Sequence, residues 1–293
     1  MAKQLPSPGE VFLDHTAFFV AEIDAAAAAL ERCGFRLTPF SIQTNTVDGK
    51  TVPAGTGNRL AMLRNGYLEL LTATPSPAGD TVLAVQLRER IAHHTGLHLA
   101  AFTSADAAAE HGRLAGAGFE TLPLVDMRRP VGDEFARFSI ARIAHGTMPE
   151  GRAQFLTHRT EHLVWLPDML DHPNGAEALT ALWIAADDIA EVAKRYARFT
   201  GRRATSDGAV AVTKIPLDRG ALNIATPAYL AETLGIMPAG PLPCLVAASV
   251  AVNSVVTLEA CLRGSGIAYR QTAAGIAVAL PPALGDTLMF HQL

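Results

Sequence analysis

Residues 13–35 read Leu13-Asp-His-Thr-Ala-Phe-Phe-Val20, then Ala-Glu-Ile-Asp24, an alanine run from Ala25 to Ala29, and Leu-Glu-Arg-Cys-Gly-Phe35. The opening residues alternate as a strand does: Thr16, Phe18 and Val20 form one face, and His15, Ala17 and Phe19 the other. A helix is predicted from Asp24 to Cys33. Its acidic start suits the positive end of the helix dipole, and Gly34 is placed to cap its end. One face of the strand must meet this helix, so His15 belongs to the opposite face.

Working outward, the same order of strand, helix and glycine returns three times. It recurs at Gly96–Phe102 with a helix to Ala115 and Gly118, at Ala178–Ala185 with a helix over Asp188–Phe199 and Gly201, and at Cys244–Val252 with a helix ending at Gly264-Ser-Gly266. Repeats of this kind decide an architecture. In the first unit, strands are predicted at Arg36–Gln43, Arg59–Leu63 and Tyr67–Thr72, with a loop over 47–58, giving β-α-β-β-β. Gly55-Thr-Gly-Asn58 lacks a phosphate-loop lysine and precedes a strand, so it reads as a hairpin connection. Residues 81–93 read as a helical linker. Strands at Thr121–Met127, Phe135–Ile143 and Ala153–His158 complete the second unit, with a loop over 128–134, and residues 160–175 link the halves.

The chain has 293 residues, 49% hydrophobic and 18% charged, enough to bury two cores. A net charge of −4 with scattered Lys and Arg offers no basic patch for nucleic acid or for a membrane surface. With no apolar run long enough to span a bilayer and no signal-peptide core, a soluble cytoplasmic protein is expected. Cys33, Cys244 and Cys261 lie far apart and read as core residues, with no zinc or disulfide spacing.

Lining the units up on their helix-end glycines and final strands sets Leu97 or Leu99, Ala181 and Ala247 at the position of His15. Thr157, Asn223 and Met289 fall at that of Glu69. Only the first unit combines a histidine with a carboxylate. Glu69 stands between Leu68 and Leu70, where an unpaired carboxylate is costly to bury, so it needs a metal, an arginine or a histidine beside it.

Several stretches, taken in order, resemble the glyoxalase-like proteins of the vicinal oxygen chelate superfamily, the group of glyoxalases, bleomycin-resistance proteins and extradiol dioxygenases. They are Leu13-Asp-His15 with Gly34-Phe35, Asn58-Arg-Leu60, Gly66-Tyr-Leu-Glu69, Gly96-Leu-His98, Phe155-Leu-Thr-His158, Leu163-Val-Trp165 and His172-Pro-Asn-Gly-Ala176. The resemblance implies an α+β fold of four β-α-β-β-β modules paired into two cupped-sheet domains, residues 11–160 and 176–293, joined by a linker at 161–175. It also implies a divalent metal (zinc, manganese, iron, nickel or cobalt) that chelates two neighbouring oxygens of a small-molecule substrate. Carried over by position, His15, Glu69 and His98 become the metal ligands and Glu69 and His158 the catalytic groups. Phe19, Tyr67, Arg129 and Phe155 become substrate contacts, and a homodimer is expected.

Two of these positions depend on local geometry. Strand alternation sets His98 on the face of Phe102, away from the cup, unless a bulge turns it inward. His158 follows the position matching Glu69 unless its strand slips by one residue. Thr157 stands where relatives often carry glutamine, and His162 where glutamate is common. Arg128 and Arg129 could form an anion-binding lip or a plain surface loop. The second pair of modules has lost the His and Glu positions, so function is expected in the first cup. Two readings follow: a metal-dependent lyase or isomerase, with dioxygenase activity as a variant, or a metal-free protein that binds or sequesters a small molecule. Without metal, His15 and Glu69 could still form a hydrogen-bonded acid–base dyad.

Overall fold

A computed structural model describes residues 3–47, 50–76, 81–205 and 211–293. The first module runs β1 (Phe12–Phe19), α1 (Ile23–Arg32), β2 (Ser41–Val47), β3 (Lys50–Met62) and β4 (Tyr67–Ala73). After α2 (Val82–His93), the second module follows as β5 (Gly96–Thr103), α3 (Ala107–Gly116), β6 (Thr121–Val131), β7 (Glu134–Ile143) and β8 (Arg152–His158). These eight strands close into a barrel in the order β1-β4-β3-β2-β6-β7-β8-β5. The modules meet along the antiparallel β1–β5 pair on one side. On the other, Thr44 pairs with Arg128 and Asn45 with Met127.

Two stretches expected as loops are strand. Residues 50–58 belong to the long strand β3, where Thr56, Gly57 and Asn58 pair with Ala73, Thr72 and Leu71 of β4. Gly55-Thr-Gly-Asn58 therefore lies inside a strand and not at a hairpin tip; a Cβ at Gly57 would sit 2.3 Å from the Phe40 ring. Likewise β6 extends through Arg128 and Arg129 to Val131, leaving only Gly132 and Asp133 before β7. Arg129 is thereby carried on a strand, where alternation aims it into the barrel.

The second half runs β9 (Ala176–Ala185), α4 (Ile189–Thr200), β10 (Val212–Pro216), β11 (Ala221–Ala225), a helical turn Pro227–Tyr229 continuing as a π-helix over Leu230–Leu234, β12 (Cys244–Val252), α5 (Val255–Gly264), β13 (Arg270–Thr272), β14 (Gly275–Ala279) and β15 (Thr287–Gln292). Its strands form a seven-stranded sheet, β10-β11-β9-β12-β15-β14-β13. Among the described residues the third module has one strand fewer than the others, so this half stays an open sheet where the first closes. Its inner face is filled by its own chain: Leu230, Leu234 and Ile236 pack with Trp183, Ala247 and Met289.

The largest core lies between the halves. Phe18, Leu68 and Phe102 point outward from the barrel into a cluster shared with Leu182, Phe199 and Phe290. Phe199 of α4 stacks on Phe155 at 5.3 Å and lies 5.8 Å from Phe102, and burying such a ring contributes about 1.5–3 kcal/mol. The alanines of α1 let the helix approach closely, with Ala26, Ala27 and Leu30 buried. Gly34 ends it at φ +85°, and a Cβ there would meet Cys261 Sγ at 2.5 Å and Asn174 Cβ at 2.7 Å. Among the described residues no helix is long and apolar enough to cross a membrane.

Candidate active site in the N-terminal barrel

The register of β1 explains how its inner face acquires chemistry. Leu13 pairs with Phe102 and His15 with Ala101, so Asp14 is the extra residue of a β-bulge. A bulge turns one more side chain to the same side than alternation allows. Asp14 and His15, consecutive in the chain, both reach the interior. On β5 the matching bulge falls at His98, between Leu97 opposite Phe18 and Leu99 opposite Ala17. On β9 and β12 the matching extra residues are Thr180 and Val246, and β9 has a further one at Glu177. Four modules share one backbone device, and only the first fills it with Asp followed by His.

Asp14 is fully buried, and its Oδ2 accepts from His15 Nδ1 at 2.7 Å while Oδ1 accepts from His158 Nε2 at 2.8 Å. Burial works against its charge, but His158 and His15 outweigh that and hold the carboxyl well below the usual range. An ionised Asp14 fixes the proton of His15 on Nδ1. Nε2 is left as the basic nitrogen, facing Glu69 Oε2 across 3.6 Å. That gap is too long for a hydrogen bond. Glu69 Oε1 accepts from Asn58 Nδ2 at 2.6 Å and Gln43 Nε2 at 3.2 Å, and Gln43 Oε1 accepts from Thr56 at 2.6 Å. The His15 ring lies flat on Tyr67, with centroids 4.3 Å apart and planes at 13°.

His15 and Glu69 open onto a cavity of about 280 Å³ inside the barrel, which Tyr67 and Arg129 also line. The volume suits a small molecule. Arg129 is buried and has no hydrogen-bond or ion-pair partner among the described residues; burial lowers its pKa while Tyr67 and Glu69 oppose the shift. Burial, then the charges of Asp14 and Glu69, push the Tyr67 hydroxyl well above its ordinary value.

The remaining expected residues are placed differently. The inner face of β8 carries Arg152, Gln154, Leu156 and His158, so His158 points inward with no slip of the strand. It stands behind Asp14, against Trp165 at 4.7 Å and Phe138 at 5.3 Å, and does not line the cavity. Phe155, expected at the substrate, faces outward onto Phe102 and Phe199 because it has the opposite parity. Phe19 faces the interior but packs with Leu99 and Ala101 beyond the cavity. His98, expected as a ligand, is turned by its bulge toward Phe19, where its Nε2 bonds the carbonyl of His94 at 2.9 Å. It is not brought to His15: Ala101, the partner of His15, lies three residues further along β5, about 10 Å away. Burial pushes the His98 imidazole down to about 3.

A resident divalent metal does not fit this donor set. Among the described residues no group of three His, Cys, Asp or Glu side chains could hold one. His15 Nε2 and Glu69 Oε2 face each other across 3.6 Å and could supply two donors, but among the described His, Cys, Asp and Glu residues no third donor joins them to complete a site. The unpaired Arg129 guanidinium adds positive charge where a cation would have to bind.

Asp14, Gln43, Asn58 and Gln154 were not legible as site residues. By register Gln154, opposite Ala101, takes the place of Glu69, opposite Ala17; Thr157 does not. For Asp14 a signal existed: a charged residue inside a strand that is buried along its whole length.

Paired modules with parallel outer strands, one pair closed around a hollow and the other reduced to an open sheet, define a vicinal oxygen chelate fold. The family model of a glyoxalase-like domain matches residues 13–200, and the chain belongs to that family. No curated protein matches in sequence. Among solved structures, a hypothetical protein from Staphylococcus aureus superposes with a TM-score of 0.67 at 11% identity, covering 97% of this chain and 99% of that one. A triple mutant of 4-hydroxymandelate synthase from Streptomyces coelicolor gives 0.59 at 14% identity, covering 98% and 93%. A fusion of a xylose isomerase-like TIM barrel with 4-hydroxyphenylpyruvate dioxygenase gives 0.56 at 12% identity, covering 99% of this chain and 50% of the fusion. At these identities the likeness establishes the fold.

Proposed function

We propose that the N-terminal barrel is a lyase- or isomerase-type site that moves a proton on a small oxygenated substrate, using His15 as base and Glu69 as its partner. The observation that carries this reading is the orientation of His15: Nδ1 is held by Asp14 at 2.7 Å, and Nε2 is turned to the cavity opposite Glu69. A proton leaving a carbon next to a carbonyl would pass to Nε2. The imidazolium so formed lies between two carboxylates, Asp14 and Glu69, which favour its charge. The electron pair moves to the carbonyl oxygen, and Arg129 lies at the same end of the cavity to oppose that negative charge. Where the first carbon bears a hydroxyl, return of the proton to the former carbonyl carbon, with the hydroxyl proton passing to the other oxygen as a new carbonyl forms, completes an isomerisation; expulsion of a leaving group from the carbon next to the deprotonated one completes an elimination.

The apolar wall of the cavity, with Leu71, Leu99 and Ile140, favours a second reading in which a ligand is held without turnover. Both readings are tested by screening small α-hydroxy and α-keto acids for solvent deuterium exchange by NMR, with protein treated by chelator. Exchange in the parent that falls about 100-fold or more in Glu69→Gln supports the enzyme. Ligand-induced thermal stabilisation without exchange supports the binder. Exchange that requires added divalent metal would overturn the proton-transfer reading.

A further inference from the structure

The cavity has a second polar end that the proton-transfer chemistry does not use. Arg142 of β7 and Arg152 of β8 both line it. Arg142 pairs with Gln154, two residues from Arg152 on the same strand face, so the two guanidiniums approach one another. Arg152 donates from Nε to Gln154 Oε1 at 2.9 Å and from Nη1 to Gln86 Oε1 at 2.7 Å. Arg142 donates from Nη2 to the Pro123 carbonyl at 3.0 Å, while its Nε is buried with no acceptor. All these partners are neutral.

Among the described residues neither arginine forms an ion pair, although elsewhere this chain matches arginine with carboxylate, as in Arg113–Glu110, Arg64–Asp171 and Arg59–Glu31. Burial, then the charge of Arg142, push the Arg152 guanidinium down to about 10. Two like charges facing one hollow without a counter-ion are destabilising on their own. Their planar forks match an oxyanion.

Arg142 stands apart from Arg129. On β6, Arg142 lies opposite Leu122, and Arg129 is seven residues further along, about 20 Å at strand spacing. Between them the wall is apolar, with Leu71, Leu99, Ile140 and Leu156. We propose that Arg142 and Arg152 form an anion subsite that takes a carboxylate or phosphate group at one end of an elongated ligand, whose apolar body lies along the barrel. This rests on the cavity being the substrate site and adds to it the charge and shape of the substrate: an oxygenated group at His15, an apolar middle and an anionic far end.

The subsite is tested by calorimetry on the full chain with benzoate, phenyl phosphate, inorganic phosphate and benzyl alcohol as probes. Benzoate or phenyl phosphate should bind tenfold or more tightly than benzyl alcohol, with affinity falling as salt rises. That preference should be lost in Arg142→Gln and Arg152→Gln, reduced in Arg152→Lys, which keeps the charge without the fork, and kept in Glu69→Gln. The stronger of the two aromatic anions identifies the group as carboxylate or phosphate, and inorganic phosphate binding alone would assign it to a free ion. In ligand-free protein, Arg142→Gln should raise the unfolding midpoint, because it removes one of two repelling charges. Equal binding of anionic and neutral probes, or undiminished anion binding in a folded Arg142→Gln/Arg152→Gln double variant, would overturn the subsite. Loss of proton exchange in Glu69→Gln with anion binding intact keeps this outcome separate from the catalytic reading.

Discussion

Asp14 and His15 are neighbours in sequence and also side-chain partners, with Oδ2 2.7 Å from Nδ1, because a bulge in β1 turns both to the interior. A buried carboxylate behind an imidazole chooses the tautomer and holds the ring in place, and here the same carboxylate also engages His158.

Asp14→Asn should separate orientation from folding. The amide can donate, so the Nδ1–H tautomer of His15 loses its preference, and proton exchange should fall about 100-fold or more. Losing the buried charge between two imidazoles should cost about 3 kcal/mol in urea unfolding. Nitrogen chemical shifts of His15 report the tautomer directly; an unchanged Nδ1–H form in the variant would refute the assignment.

The acid limb of stability should also carry the signature of Asp14. Its folded pKa lies below its ordinary value of 3.8, so its contribution is present above that pH and is lost as pH falls through and below it. Unfolding followed between about pH 6 and pH 2 should show a steeper decline in the parent than in Asp14→Asn. Parallel curves would mean that the carboxylate is not charged in the fold.

Asp286 predicts the opposite sign. Burial raises it to about 7 from an ordinary 3.8, although the backbone N–H of Leu97 donates to it at 2.5 Å. The native state carries no penalty at low pH and loses stability as pH rises through about 7. Asp286→Asn should therefore be more stable than the parent by about 3 kcal/mol near pH 8, with the advantage fading toward pH 4. A difference independent of pH would remove the buried charge as its cause.

Gly34→Ala should destabilise by about 2 kcal/mol or more, since φ is +85° and the new Cβ meets Cys261 of the second half and Asn174 of the linker. Gly264→Ala, near the end of α5 with nothing within 4 Å, is the matched control and should be neutral or stabilising. Equal midpoints for both would show that the halves do not press together at Gly34.

The repeated modules were legible because strand alternation, helix starts and terminal glycines are local signals, and the union of His15 with Glu69 followed from counting along them. Asp14 was not, since alternation assigns it to the face opposite His15 and only the pairing with β5 reveals the bulge. His98 illustrates the same limit: its bulge turned it inward, but to the wrong end of the barrel. Arg142 and Arg152 were hidden for another reason. Read singly they are ordinary strand arginines, and their meaning comes from β7 and β8 setting them side by side without a carboxylate.

The filled second sheet has a mechanical consequence. β1, which carries Asp14 and His15, is tied to the solid half where Phe12 bridges to Arg219, and the turn entering β4 is tied where Asn65 bridges to Ala178. On the far side of the barrel, Leu124 and Phe135 face solvent. The wall that carries Asp14 and His15 stands on a foundation. The opposite wall, carrying Arg129 and Arg142, rests on α3.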